Sequence, residues 1–374
     1  MNADWLTKKL GEVAVFQKGK MMPNSSIKQG SASPYIVIND LRTNKYSRFT
    51  EVNNGTACQP SDTLIVWDGA NAGTVGGGLK GYVGSTITKI SPKNKIDPQF
   101  LRLLLSSKFE EFNKQTHGAA IPHLNKEFIL NYPIPLPLLV VQKQIIERMD
   151  KIAEAQKLND TLIKKAGELF QSLLHQELNP TGKNWEIKKL GEICTFQYGY
   201  TQSAKDNGSY RFIRITDIDE SGEIRDDDKK YISDKFKMVK SYILKEGDLL
   251  VARTGATYGK ILIFHLDIPS VYASYLIRIQ PDTSKVVPKF IWLFSRSKGY
   301  WRQASRLVNG SGQPQFNANK IKEIKIKLPN IKYQQKIINR LETLQEYKKK
   351  LLKEKILLKE LFDSVLDRCM KGEI

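Results

Sequence analysis

The strongest constraint on this chain is that it is written twice. WLTKKLGEVAVFQKGK begins at Trp5 and WEIKKLGEICTFQYGY at Trp185, and nine of their sixteen positions are identical. The match continues along the chain. YIVINDL from Tyr35 meets FIRITDI from Phe212, with Asp40 against Asp217, and DTLIVWDGANAGTV from Asp62 meets DLLVARTGATYGKI from Asp248. HGAAIPHLNKEFILNYPIPLP pairs with NGSGQPQFNANKIKEIKIKLP, setting Gly118, Pro122, Asn125 and Pro137 against Gly310, Pro314, Asn317 and Pro329. QKQIIERM then meets QQKIINRL, and ELFQSLL meets ELFDSVL. The offset grows from 180 to 192 and then stays fixed, apart from a dip near residue 40. Solenoid repeats run to about 50 residues. These copies are far longer, so the pattern is a tandem duplication of a domain-sized unit.

Each copy has two parts. The first holds short β-like runs (YIVI, TLIVW, STITKI, RFIRI, DLLVA, SYLIRI) separated by Gly, Asn, Asp and Ser, together with helical stretches such as the one that Asp97 and Pro98 would start. The second part, from Leu138 to Leu178 and from Asn330 to Lys371, lacks proline and contains one glycine, Gly167. Apolar side chains recur there at Ile145, Met149, Ile152, Ala155, Leu158, Leu162, Ala166, Leu169 and Leu173, a mean step of 3.5 residues. The second copy has Ile337, Leu341, Leu344, Leu351, Leu358, Leu361 and Val365. Such spacing demands a helical partner, and the other copy is the nearest one available.

The expected fold is therefore α/β (mixed α+β). Two similar globular domains are separated by two long antiparallel helices forming an intramolecular coiled coil, with approximate twofold symmetry. The expected bounds are 1–137 and 181–330 for the globular domains, and 138–180 and 331–374 for the helices. A helix of about 36 residues would span about 54 Å, or roughly 16 base pairs of B-form duplex.

The formal charge of +20 is distributed unevenly. Residues 1–137 carry 16 basic and 10 acidic side chains, residues 138–180 six of each, residues 181–330 carry 26 and 16, and residues 331–374 carry 11 and 7. Cationic blocks flanking a neutral segment suit a polyanionic partner, because lysine and arginine displace counterions from phosphates. The three cysteines, Cys58, Cys194 and Cys369, are far apart and match no disulfide or metal pattern, so a reducing cytoplasm is expected. The start MNADWLTKKLGE has no apolar signal core, and IPLPLLVV is too short and too broken by proline to span a membrane.

Catalytic motifs fail one by one. GGGLKG at Gly76–Gly81 fits a dinucleotide fingerprint in letters, but strand-like YVGSTITKI follows where a helix is required. GATYGK at Gly255–Lys260 is one residue short of a phosphate loop and lacks its hydroxyl, which reads as a glycine-rich turn. His117, His123, His175 and His265 have no companions at ligand spacing, and DDDKK at Asp226–Lys230 has no counterpart in the first copy. No metal site is expected. A duplicated basic chain without chemistry favours recognition.

With W..KKLGE, the GATYGK segment and the paired GAAIPHLN…QKQI and GSGQPQFN…QQKI blocks, the chain resembles the specificity subunits of type I restriction–modification systems over its whole length. The resemblance implies a non-catalytic reader of double-stranded DNA. Its two target recognition domains would each take one half of a split, asymmetric site, and its helices would set the gap. It further implies two methyltransferase subunits docked on the helices and motor-nuclease subunits added to them. No cofactor would be bound by this chain itself; S-adenosylmethionine, ATP and Mg would belong to those partners. Two other readings stay open: a stand-alone DNA-modifying enzyme (a diverged methyltransferase or nuclease), and a nucleic-acid-binding scaffold without sequence preference.

The duplication also sorts residues. Positions identical in both copies cannot distinguish two different half-sites, so Trp5, Leu10, Gly11, Trp185, Leu190 and Gly191 are assigned to folding. Base readers are expected where the copies diverge and donors are rich, because Arg and Asn make paired bonds to base edges while Lys more often meets phosphate. In the first copy these are Lys18, Lys20, Asn24, Arg42, Lys45, Arg48, Asn71 and Lys80. In the second they are Tyr198, Tyr200, Lys205, Arg211, Arg214, Arg253, Tyr258 and Lys260.

Overall fold

A computed structural model describes residues 5–117, 122–182, 184–219, 222–255, 257–308 and 315–373. The aligned Gly118, Gly310 and Pro314 lie outside the described residues. The chain divides into two compact units, one of residues 1–161 and 353–374 and the other of residues 162–352. No helix among the described residues is long and apolar enough to cross a membrane.

Both units are mixed α/β and repeat one topology. In the first, a four-stranded antiparallel sheet runs in the order Ala14–Lys18, Ile87–Pro92, Thr63–Val66, Val75–Gly77. In the second the order is Cys194–Tyr198, Leu276–Pro281, Leu249–Ala252, Ile261–Ile263. Thr63–Val66 and Leu249–Ala252 are buried along their whole length, which is why both read as runs that are apolar throughout apart from Thr63. A smaller sheet places Ser33–Ile36 parallel to Gly81–Val83, matched in the second unit by Tyr210–Ile213 parallel to Ser270–Tyr272. A two-stranded ribbon closes each unit: Leu6–Lys9 with Pro133–Leu136, and Glu186–Lys189 with Lys325–Leu328.

The residues common to both copies explain themselves here. Leu10 and Leu190 are fully buried, and their amides donate to Tyr132 O (2.9 Å) and Ile324 O (2.8 Å). Gly19 and Gly199 sit where a Cβ would lie 2.1 Å from a carbonyl oxygen, of Gly84 and Ala273 respectively. No larger residue fits either place. Asn125 and Asn317 each cap a short helix, accepting from Phe128 N (3.1 Å) and Lys320 N (3.0 Å). Asp97 does the same for helix Pro98–Ser106, accepting from Gln99 N at 2.8 Å, as its position before Pro98 predicts.

Two helices of 40 residues, Leu139–Leu178 and Ile331–Met370, follow the ribbons. In the first unit Ile145 and Met149, early in one helix, share a core with Leu366, Cys369 and Met370, late in the other. In the second unit Phe170, Leu174 and Leu178 pack with Ile337, Ile338 and Leu341. Early residues meet late ones in both cases, so the helices pair antiparallel within each unit. Polar bonds fix the pairing: Gln156 Nε2 donates to Leu358 O (3.0 Å), Lys355 Nζ meets Asp160 Oδ1 (2.8 Å), and Arg340 pairs with Glu177.

The seam differs in detail from the heptad reading. Ile145, Met149, Ala166, Ile337, Leu341 and Leu351 are buried, while Ile152, Leu162, Leu173, Leu344, Leu358 and Val365 are half-buried. Leu169, however, is 58% exposed, and Leu158 and Leu361 also face outward. A straight helix turns once every 3.6 residues, so a seam spaced at 3.5 drifts by about 20° per heptad. The neighbours Asn159, Phe170 and Phe362 occupy the inward places instead.

Candidate nucleic-acid interface

The large sheet of each unit ends in the same backbone frame. In the second unit, Tyr198 closes one strand, Arg253 follows another, and Tyr275 precedes the strand between them. The antiparallel register (Tyr198 opposite Ile277, Ala252 opposite Leu276) brings the three to one edge. Arg253 N donates to Tyr275 O (3.1 Å), Phe316 N donates to Arg253 O (2.7 Å), and Thr254 bridges to Gln315. In the first unit Trp67 N donates to Thr86 O (2.7 Å), Leu124 N donates to Trp67 O (2.9 Å), and Asp68 bridges to His123. These three contacts are the same in both frames.

The phosphate-loop look-alike is part of this frame. Gly255 and Gly259 take φ of 75° and 77°, and Gly69 and Gly73 take 101° and 95°, in the left-handed region that glycine tolerates. Gly259 N donates to Ala252 O at 2.8 Å and Gly73 N to Val66 O at 2.9 Å. Both loops are therefore glycine turns joining strands. GGGLKG likewise runs from strand Val75–Gly77 into strand Gly81–Val83 rather than into a helix.

What the frames carry is different. In the first unit Lys18 Nζ lies 2.9 Å from Asp68 Oδ2, and His123 Nδ1 lies 2.6 Å from Asp68 Oδ1. Trp67 sits edge-on to Phe16 at 6.4 Å. In the second unit the Arg253 guanidinium lies 5.3 Å from the Tyr198 ring centre and 5.8 Å from that of Tyr275. Tyr198 is 43% and Tyr275 55% exposed, and Tyr198 Oη accepts from Ala318 N at 3.3 Å. One scaffold thus displays an acid held between a lysine and a histidine in one unit, and a guanidinium between two phenols in the other.

The remaining sequence candidates distribute as follows. Lys20 Nζ donates to Asn54 O (3.3 Å), Asn24 Nδ2 donates to Met22 O (2.8 Å), and Arg42 donates to Asn71 Oδ1. Lys45, Arg48 and Lys80 are exposed; Tyr46 Oη accepts from Lys80 N (3.0 Å), which joins their loops into one cationic surface. Lys205 is exposed, and Lys260 ends the glycine turn half-buried. Tyr200 stacks 5.1 Å from Tyr242, and its bond to the Asp234 carboxylate pushes its phenol up from the ordinary value. Tyr258 is half-buried and packs edge-on to Trp301 (6.3 Å) and Phe316 (6.4 Å), against the hydrophobic core.

Arg211, expected from the sequence to read a base, is buried instead. It is 1% exposed, lies 3.8 Å from Asp217, and donates to Lys230 O (3.4 Å) and Arg225 O (3.3 Å), so it holds the fold and cannot touch a duplex. Arg214 is bound to Asp217 (2.7 Å) and Asp228 (3.1 Å). Lys230 joins the same network through Asp206 (2.6 Å) and Asp228 (2.9 Å), and of the other DDDKK charges Asp226 pairs with Lys229 (3.3 Å).

Trp67, Asp68, His123, Tyr275 and Gln315 were not among the sequence candidates. His123 and Gln315 diverge between the Pro and the Asn that IPHLN and QPQFN share, which is the signal that could have exposed them. No group of His, Cys, Asp and Glu among the described residues could hold a metal ion. The cysteine thiols are poor nucleophiles here. Burial pushes Cys58 up to about 11 and Cys194 up to about 12, so both stay protonated near neutral pH.

The family model described as "Type I restriction modification DNA specificity domain" matches residues 2–166 and again 182–359. The type I restriction enzyme MjaVIII specificity subunit of Methanocaldococcus jannaschii is 26% identical, covering 99% of this chain and 93% of its own. The EcoBI specificity subunit of Escherichia coli is 24% identical over 99% of this chain and 86% of its own. Among solved structures, the type I S subunit from M. genitalium superposes with a TM-score of 0.59 at 16% identity, covering 99% of this chain and 96% of that one. A chain solved in work on complex assembly of the type I R-M system gives a TM-score of 0.69 at 17% identity, covering 99% and 98%.

Proposed function

Because the chain belongs to the type I restriction–modification DNA specificity family, we propose that it is the non-catalytic subunit that reads a bipartite, asymmetric duplex target. Each unit takes one half of the site, and the paired helices set the gap between halves. Two methyltransferase subunits dock on this scaffold and bring the S-adenosylmethionine chemistry; motor-nuclease subunits bring ATP- and Mg-dependent cutting. The observation that carries the reading is the pair of matching sheet ends. A single backbone frame carries Lys18, Trp67, Asp68 and His123 in one unit, and Tyr198, Arg253, Gln315 and a buried Thr254 in the other. A frame kept constant while its polar side chains change is what reading two different sequences requires.

The test is competition binding at fixed salt between duplexes selected from a random pool and the unselected pool. The selected duplex should win by about 10³-fold or more. Equal binding would leave a scaffold without sequence preference. Incubation of the purified chain with DNA and S-adenosylmethionine, or with Mg²⁺, should yield neither methylation nor cutting. Either product would make the chain an enzyme and overturn the proposal.

A further inference from the structure

We infer that Arg253 reads a guanine in the half-site taken by the second unit, an assignment that rests on the duplex-reading function proposed above. Guanine offers O6 and N7 side by side in the major groove, and a guanidinium edge matches both at once. That match requires a guanidinium that is free and already oriented. Arg253 has neither ion pair nor side-chain hydrogen bond among the described residues; its Nε is buried, but the residue as a whole is only half-buried, so part of it reaches solvent. The Tyr198 and Tyr275 rings hold the group on two sides without engaging its donors.

Four other arginines of this unit lack that freedom, while Arg225, Arg302 and Arg306 are exposed and, among the described residues, have no aromatic ring holding them in one orientation. Arg211 and Arg214 are engaged by Asp217, Arg278 by Asp248 at 2.5 Å, and Arg296 lies flat on Trp292 at 3.6 Å. Phosphate contacts are needed alike by both units, and lysine serves them well. A residue that only touched phosphate would be expected to keep its charge in the first unit. The equivalent there is Trp67, which carries no fork of donors. The guanidinium therefore belongs to sequence reading in one half of the target. Tyr198 and Tyr275 act as positioning residues for it.

The experiment selects bound duplexes from a random pool with the full-length chain, first unaltered and then as Arg253→Ala, Arg253→Lys and Tyr198→Phe. The unaltered chain should return a bipartite motif. Both Arg253 variants should lose preference at one guanine of one half by roughly 10- to 100-fold, with the other half unchanged. Tyr198→Phe, which keeps the ring, should keep the guanine. A readout independent of any variant's folding is 7-deazaguanine, which lacks N7, at that position. It should weaken the unaltered chain and add little to the loss in Arg253→Ala. If Arg253→Ala lowers affinity evenly across sequences, the side chain touches phosphate and the inference falls; if Arg253→Lys keeps the full guanine preference, the paired guanidinium contact is not what selects the base and the inference falls as well. If a bipartite motif is selected but Arg253→Ala leaves it intact, the inference falls and the two-part reading stands. If the unaltered chain selects no such motif, both fall.

Discussion

Replacing Arg278 with methionine is expected to destabilise the second unit by about 3–5 kcal/mol, the usual cost of stranding one member of a buried ion pair. Arg278 is 3% and Asp248 7% exposed, and they meet at 2.5 Å inside the large sheet. Asp248 also accepts from Lys245 N at 2.6 Å, closing the turn before its strand. Methionine would fill the arginine stem's space but leave the carboxylate charge with that one amide. The first unit solves the same problem without an ion pair. There Asp62 accepts from Gln59 N (2.8 Å) and from the Ser91 hydroxyl (2.6 Å), and Lys89, at the place of Arg278, turns to Ala57 O (2.9 Å). Ser91→Ala is accordingly expected to cost about 1 kcal/mol. Urea unfolding followed by hydrogen exchange in each unit checks both values. Equal effects from Arg278→Met and Ser91→Ala would contradict this account of the pair.

The second large effect lies at the glutamines that begin the long helices. Gln142 and Gln334 are fully buried and make the same three bonds. Gln142 accepts from Asp97 N (2.7 Å) and donates to Lys95 O (3.0 Å) and Pro137 O (2.8 Å). Gln334 accepts from Val287 N (2.8 Å) and donates to Lys285 O (3.0 Å) and Pro329 O (2.8 Å). Each one ties a long helix to the loop before a short helix and to the end of the ribbon, so it fixes where the helix leaves its unit. Gln334→Leu would leave one amide and two carbonyls without partners, at about 1–3 kcal/mol for each buried group, and is expected to cost roughly 3 kcal/mol or more.

Gln334→Glu gives a pH signature. Facing two carbonyl oxygens from a buried place, its carboxyl should have a folded-state pKa above the unfolded value of about 4.3. The variant should thus be most stable below about pH 4.3, where the carboxyl is protonated in both states. It should lose stability as pH rises through the folded-state pKa, relative to the unaltered chain. A flat difference between the two proteins from pH 4 to pH 8 would show that the side chain is not confined as described.

Much of this was legible in the sequence because duplication acts as an internal control. Shared letters marked the frame: Gly19 and Gly199 for close approach, Asn125 and Asn317 for caps, Gln142 and Gln334 for the helix anchors. The long helices followed from apolar spacing without proline. What escaped depended on three-dimensional neighbours. Nothing in RFIRITD shows that Arg211 turns inward to Asp217 while Phe212 and Ile213 are also buried. Periodicity read at 3.5 placed Leu169 in the seam, where a real helical turn puts Phe170. Arg253 stood out as a divergent arginine, but its two tyrosine neighbours come from separate strands whose register only the fold supplies.

The most direct measurement exchanges residues 1–137 for the corresponding segment of a family member with a different target, and then sequences the duplexes that the hybrid selects. One half of the motif should switch to the donor's while the other half and the gap remain as they were. A hybrid that folds yet changes both halves together, or neither, would contradict a protein built from two independent readers on one repeated frame.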